Sequence, residues 1–205
     1  SFFHQNTATQ FDNASDPEFP TFGGGGAIYQ EFADTLTITS TTFTINNSPA
    51  APGGAIVGYH GVEIILNDII VANNLSAGYG GGLCFLRPGH LNFTNSVIEN
   101  NQSQSQSGGG LFVSNESISD TVSRVPGSLS HLTFVNNYAQ IGGGGIFIWN
   151  TVDFNITHCT FVGNEANDVG WSGGGLAIHA NAEVSILNSL FYDNYPVSVH
   201  DGTPN

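Results

Sequence analysis

The chain has 205 residues, with 16 acidic and 2 basic side chains and a formal charge of −14. Nucleic-acid and anionic-membrane surfaces need clustered Lys and Arg, and Arg87 and Arg124 are the whole basic inventory, so neither partner is expected. With 27 glycines and 40% hydrophobic residues the chain is neither collagen nor an ordinary disordered tail, and it has no apolar run of about 18 residues to insert in a membrane.

Along the chain, SFFHQN opens with the pair Phe3/Asn6, followed by an excursion near 7–22 that holds Asp12, Asp16, Pro17, Glu18 and Pro20. GGGGAIY at 23–29 comes next, then LTITSTTF at 36–43, which alternates apolar and polar residues up to the pair Phe43/Asn46. The same two elements then recur in order. PGGAIVGY at 52–59 precedes Ile70/Asn73, and GGGLCFL at 80–86 precedes Ile98/Asn101. GGGLFV at 108–113 is followed by a second excursion near 114–128 and by Phe134/Asn137. GGGGIFIW at 142–149 precedes Phe161/Asn164, and GGGLAIH at 173–179 precedes VSILNSLF at 184–191 and Phe191/Asn194.

Gly26, Gly54, Gly82, Gly110, Gly145 and Gly175, the last glycines of the clusters, are spaced 28, 28, 28, 35 and 30 residues apart. Two ladders sharing one period indicate a repeat architecture. Period-2 alternation of Thr, Val, Ile and Phe reads as strand, and no amphipathic helix fits so glycine-rich a chain. The expected fold is all-β: a single-stranded right-handed parallel β-helix of about six coils of 27–30 residues, forming one domain over 1–205. The two excursions project outward from the stack. Phenylalanines face inward, asparagines hold the turns with αL-tolerant backbones and amides that bond between coils, and glycines pass a corner. The sequence starts near the end of one coil and stops just past an Asn turn. The ends are therefore expected to meet further coils of the same chain or a second copy, end to end. No basic, then apolar leader is read at the start of the sequence, and a mature or trimmed piece is one expectation consistent with that.

GGAI at 25–28 and 53–56, GGGL at 80–83, 108–111 and 173–176, and FTIN, FVNN, FVGN and FYDN at the FxxN positions carry a family likeness. This pairing resembles the repeats of chlamydial polymorphic outer-membrane proteins, and it covers nearly the whole chain. The resemblance implies a surface-exposed adhesin, passenger or structural stalk rather than an enzyme. Ile70 and Ile98 stand in place of phenylalanine.

N-x-S/T sequons occur at Asn13, Asn46, Asn74, Asn92, Asn101, Asn115 and Asn155. They point to a secreted or cell-surface glycoprotein, with Asn115 the most exposed candidate and Asn92 and Asn155 facing out. Asn46 and Asn101 lie on the turn ladder, so modification there requires outward amides. Cys84 and Cys159 lie two coils apart, beyond disulfide reach, and read as free core thiols.

Catalytic chemistry finds little support. A pectate-lyase-type site needs clustered carboxylates and a strong cation, whereas neither Arg87 nor Arg124 is part of an evident acid cluster. Asp68 has Thr41, Ser96, Leu132, Cys159 and Ser189 as its expected equivalents, which gives no carboxylate pair of the hydrolase type. His131 and His158 are expected to stack on one face between Asn95 and Asn188, as a polar ladder short of metal ligands. No cofactor is expected; the negative charge favours Ca²⁺ among cations, but the nonapeptide G-G-x-G-x-D is absent. The reading is a non-catalytic extracellular structural or adhesive glycoprotein. A carbohydrate-active or glycan-binding β-helix is the alternative, and glycans are a candidate partner.

Overall fold

Alternation places every second side chain on one face of a strand, and a repeat of constant length brings like faces into stack. A computed structural model describes residues 1–8, 24–32, 34–61, 63–115, 125–150, 152–168, 172–197 and 199–201. It is an all-β parallel β-solenoid of about five turns, consistent with a right-handed β-helix. Among the described residues there is no helix, and hence none long and apolar enough to cross a membrane.

Each turn crosses three parallel sheets. The first, nine-stranded, contains the long strands Thr35–Thr44, Glu63–Ala72, Leu91–Glu99 and Val125–Val135. The second has five two-residue strands, from Asn47–Ser48 to Glu165–Ala166. The third has seven strands, including Ile56–Tyr59, Leu83–Leu86, Leu111–Ser114, Ile146–Trp149 and Leu176–His179. The short strands mark five full turns, with partial turns flanking them, where about six coils were expected. Of the excursion near 114–128, Ser114 ends one strand and Val125–Ser128 begin another, while 116–124 lie outside the described residues. Of the excursion near 7–22, Thr7 bridges to Asn47, and residues 9–22 lie outside the described residues.

The inward ladder of the first sheet is Phe3, Phe43, Val71, Ile98, Phe134, Phe161 and Phe191. Phe134 and Phe161 are fully buried and stack at 5.0 Å with planes 3° apart. The second coil departs from the expected register. Val71 and Asn74 occupy the ladder in place of Ile70 and Asn73, and Ile70 is 44% exposed. The coil reads Ile69-Ile70-Val71 before Asn73-Asn74, so the apolar-x-x-Asn spacing fits two registers. Packing selects the one that buries Val71.

The left-handed position also differs from expectation. It falls on the residue before each ladder asparagine: Ile45 (φ 58°), Asn73 (57°), Asn100 (53°), Asn136 (50°) and Gly163 (62°). The ladder asparagines instead turn their side chains inward. Asn46, Asn74, Asn101, Asn137 and Asn164 are buried, and each Nδ2 donates to the Oδ1 of the next at 2.9 Å. Each Oδ1 also accepts a backbone N–H, and each Nδ2 a second time donates to a carbonyl of the preceding coil, as Asn137 does to Ile98 at 2.9 Å. Glycine serves close approach at the corner into the third sheet. A Cβ on Gly109 would run into the carbonyl oxygens of Tyr138 and Gly144, and Gly108 has φ 75°.

Two substitutions test this core by denaturant unfolding. Phe161→Ala is expected to cost about 3–5 kcal/mol through the cavity it opens. Asn137→Ala orphans the backbone N–H and one of the two Nδ2–H donors of Asn101, at about 1–3 kcal/mol for each buried donor left unmade. A change within about 0.5 kcal/mol, as at ordinary surface sites, would contradict the ladder.

Candidate functional site

Each coil of the first sheet has one left-handed residue whose side chain stands outside, within the four long strands and, farther on, in the breaks between Val152–Thr157 and Thr160–Val162 and between Glu183–Leu187 and Leu190–Tyr192. The series is Ser40, Asp68, Asn95, His131, His158 and Asn188, with φ between 46° and 55°. All six are exposed. The His131 and His158 rings stack at 5.0 Å and 4°, and Asn188 Nδ2 lies 3.3 Å from His158 Nε2. Ser40 Oγ donates to Asp68 Oδ2 at 2.7 Å. Asp68 thus stacks in the histidine series. Its expected equivalents Thr41, Ser96, Leu132, Cys159 and Ser189 align instead with Ile69, one residue on, because Val71 rather than Ile70 is the ladder residue of this coil. Among the described residues, no three of His, Cys, Asp and Glu gather as a metal ion needs.

A carboxylate pair lies elsewhere, and sequence reasoning missed it. Asp153 and Glu183 are direct partners on the adjacent strands Val152–Thr157 and Glu183–Leu187. With Asn155 and Ser185 they border an open surface hollow of about 350 Å³. Their separation of 30 residues equals that of the paired Ile146 and Leu176, so the local repeat length was the available signal. The two acids stand side by side on one sheet face. The pair concentrates negative charge at this point of the first sheet.

The third sheet holds a second feature that the sequence reading missed. Its outward residues Val57, Cys84, Phe112, Phe147 and Ala177 are all buried, and Tyr29, Tyr79 and Trp149 pack against them. Strands such as LCFL and IFIW are apolar at nearly every position, the pattern of a sheet covered on both faces. That lack of alternation was the signal. Tyr79 meets Phe112 at 4.3 Å, Phe112 stacks on Phe147 at 5.7 Å, and Trp149 stands edge-on to Phe147 at 6.5 Å. Beside these rings is a cavity of about 240 Å³, also lined by Gln106, Ile141 and Asp168. Farther along, Tyr29 donates to Glu31 Oε2 at 3.1 Å, and burial followed by the Glu31 charge pushes its phenol well above the usual range. Arg87 Nη1 lies 3.1 Å from His60 Nε2; a guanidinium only donates, so the ring nitrogen accepts.

Both cysteines are free and buried. Cys84 belongs to the outward cluster of the third sheet rather than to the core within the coils. Cys159 lies in that core, and burial raises its thiol pKa, opposed in part by backbone hydrogen bonds.

The sequon asparagines divide by position. Asn46, Asn74 and Asn101 are rungs of the buried amide ladder. The hydroxyl residues of these sequons, Ser48, Ser76 and Ser103, are buried too and stack with Ala139 and Ala166. Asn115 is also buried at the end of Leu111–Ser114, with its N–H on the Trp149 carbonyl at 3.4 Å, contrary to the exposure expected of it. Asn155 is exposed and Asn92 half-buried, both on the outer face of the first sheet. Asn13 and Arg124 lie outside the described residues.

Residues 131–148 match a model of the Chlamydia polymorphic membrane protein (Chlamydia_PMP) repeat. The matched stretch runs from His131 through the inward Phe134, the ladder Asn137 and the glycine corner to Ile148, and so contains one pass through all three sheets. Comparison with curated proteins and with solved structures gives no match.

Glycan mapping separates these positions. After secretion from a eukaryotic host, peptide mass analysis of the folded protein is expected to find N-glycans at Asn155 and Asn92, and unmodified Asn46, Asn74 and Asn101. A sugar on any of those three in folded material would contradict the inward amides.

Proposed function

We propose that this chain is a non-catalytic structural or adhesive β-helix module of an extracellular or cell-surface glycoprotein, a component of a filament or surface appendage. The observation that carries the reading is the amide ladder, unbroken from Asn6 to Asn194, which ties successive coils into one stiff body. Such a body supplies reach and a repeated surface. The likeness of residues 131–148 to a membrane-protein repeat of Chlamydia agrees with surface display.

Further support comes from the coil edge formed by Glu183–Leu187 and Leu190–Tyr192. Ile186, 37% exposed, and the half-buried Val184 and Phe191 stand there in line with the buried Ile156, Phe154 and Phe161 of the coil below, while Leu187, Leu190 and Tyr192 are exposed beside them on the outer face. An open parallel edge with apolar side chains is a surface that another coil covers, from the same polypeptide or from a second copy. A head-to-tail contact of this kind repeats along one axis and need not close.

Light scattering and electron microscopy of the purified 205-residue chain test assembly. End-to-end rods are expected, shortened to single particles by Val184→Lys with Ile186→Lys, the positions that stand over the core at this edge. Side-by-side dimers with open ends would contradict this reading. Incubation with pectic and neutral polysaccharides is expected to release no reducing ends or unsaturated products; turnover would replace the structural reading with a carbohydrate-active one.

A further inference from the structure

The 240 Å³ cavity beside the third sheet is built from two kinds of element. One wall comes from the connections between the second and third sheets in successive coils. Tyr79 follows Leu75–Ser76, Gln106 follows Gln102–Ser103, Ile141 follows Tyr138–Ala139, and Asp168 follows Glu165–Ala166. The other surface is the outward side of Ile146–Trp149, which presents Phe147 and Trp149. Backbone bonds hold the wall in place: the Ile141 N–H donates to the Gln106 carbonyl at 3.1 Å, and the Asp168 N–H to the Ile141 carbonyl at 3.3 Å. The floor is equally set, because Phe147 is buried and stacked on Phe112. The hollow is therefore preformed.

We infer that this cavity is a binding subsite for one ring of a neutral saccharide, the contact through which the adhesive function proposed above engages glycans. The chemistry of the lining selects this class. Tyr79 and Trp149, both half-buried, offer aromatic surface for the apolar C–H face of a pyranose. Gln106 supplies an amide donor and acceptor, and Asp168 a carboxylate acceptor, for the hydroxyls around the ring edge. A volume of 240 Å³ lies below the range of about 300–1,000 Å³ that holds drug-sized ligands, and suits a single ring with the rest of the oligomer outside. Charge excludes the acidic sugars. The formal charge of −14 and Asp168 in the lining both oppose a uronate or sialate carboxyl group. The subsite lies on the third sheet, away from the Asp153/Glu183 pair and from the described sequons that face out, Asn92 and Asn155.

The test titrates the whole chain with β-1,4-linked glucan and galactan tetrasaccharides and with tetragalacturonate, read by tryptophan fluorescence and calorimetry. Saturable binding of at least one neutral oligomer is expected, with tetragalacturonate at least about tenfold weaker. Gln106→Ala, on a connection with its side chain half-exposed, is expected to weaken binding about tenfold with the unfolding midpoint unchanged. Trp149→Ala is expected to abolish binding, and Trp149→Phe to retain part of it. No saturable binding by the folded chain, equal binding of tetragalacturonate, or binding untouched by both Gln106→Ala and Trp149→Ala would overturn the inference. Rods that assemble and bind none of these oligomers would sink this inference alone. Cleavage of the oligomers would sink the non-catalytic reading instead.

Discussion

Everything in this solenoid is referenced to one column of carboxamides. A buried Asn side chain has two N–H donors and an oxygen with two lone pairs. In this stack all four are used: the oxygen of Asn137 takes the N–H and Nδ2–H of Asn101, while its own Nδ2 reaches Ile98 and Asn164. The column closes without charge and without outside partners. Asp in its place would lack the donors, and Gln would carry the amide a carbon too far. Because the backbone N–H of each rung is also engaged, a one-residue slip between coils breaks several bonds together. The column therefore sets register, and register puts Phe134 over Phe161 three residues upstream.

The same column gives part of the sequon pattern a structural origin. Two residues after each ladder asparagine the chain turns a second small side chain inward: Ser48, Ser76, Ser103, Ala139 and Ala166. Where that residue is Ser, packing writes N-x-S without reference to glycosylation. Asn92 and Asn155 stand on an outer strand face, where no ladder demands asparagine. One tripeptide thus has two physical origins within one chain.

The outer faces of the solenoid are unlike one another. The first sheet turns polar and titratable side chains to water, with the series from Ser40 to Asn188 and the Asp153/Glu183 pair. The third sheet keeps its outward Val57, Cys84, Phe112, Phe147 and Ala177 buried, with aromatic rings at the margin. A coil with a polar outer face and an apolar one presents sided surfaces along its length, which suits a body that carries contacts at defined places.

The parallel β-helix, the inward Phe134 and Phe161, the stacked His131 and His158 and the glycine corners were all legible in the sequence. They follow from repeat length and residue type, which are counted along the chain. Side-chain direction was less legible. Each long strand of the first sheet contains a left-handed residue, such as Asp68, which resets the alternation, so parity counted from one side of it fails on the other. With Ile69, Ile70 and Val71 all apolar and Asn73 beside Asn74, only contact with the neighbouring coils chose Val71 and Asn74. For the same reason the tertiary structure alone decided that Asn46, Asn74, Asn101 and Asn115 are buried, that Asp153 stands beside Glu183, and that Tyr79, Gln106, Trp149 and Asp168 share a cavity. Those are relations between coils, and a repeat period states how far apart two residues lie but not which way either one faces.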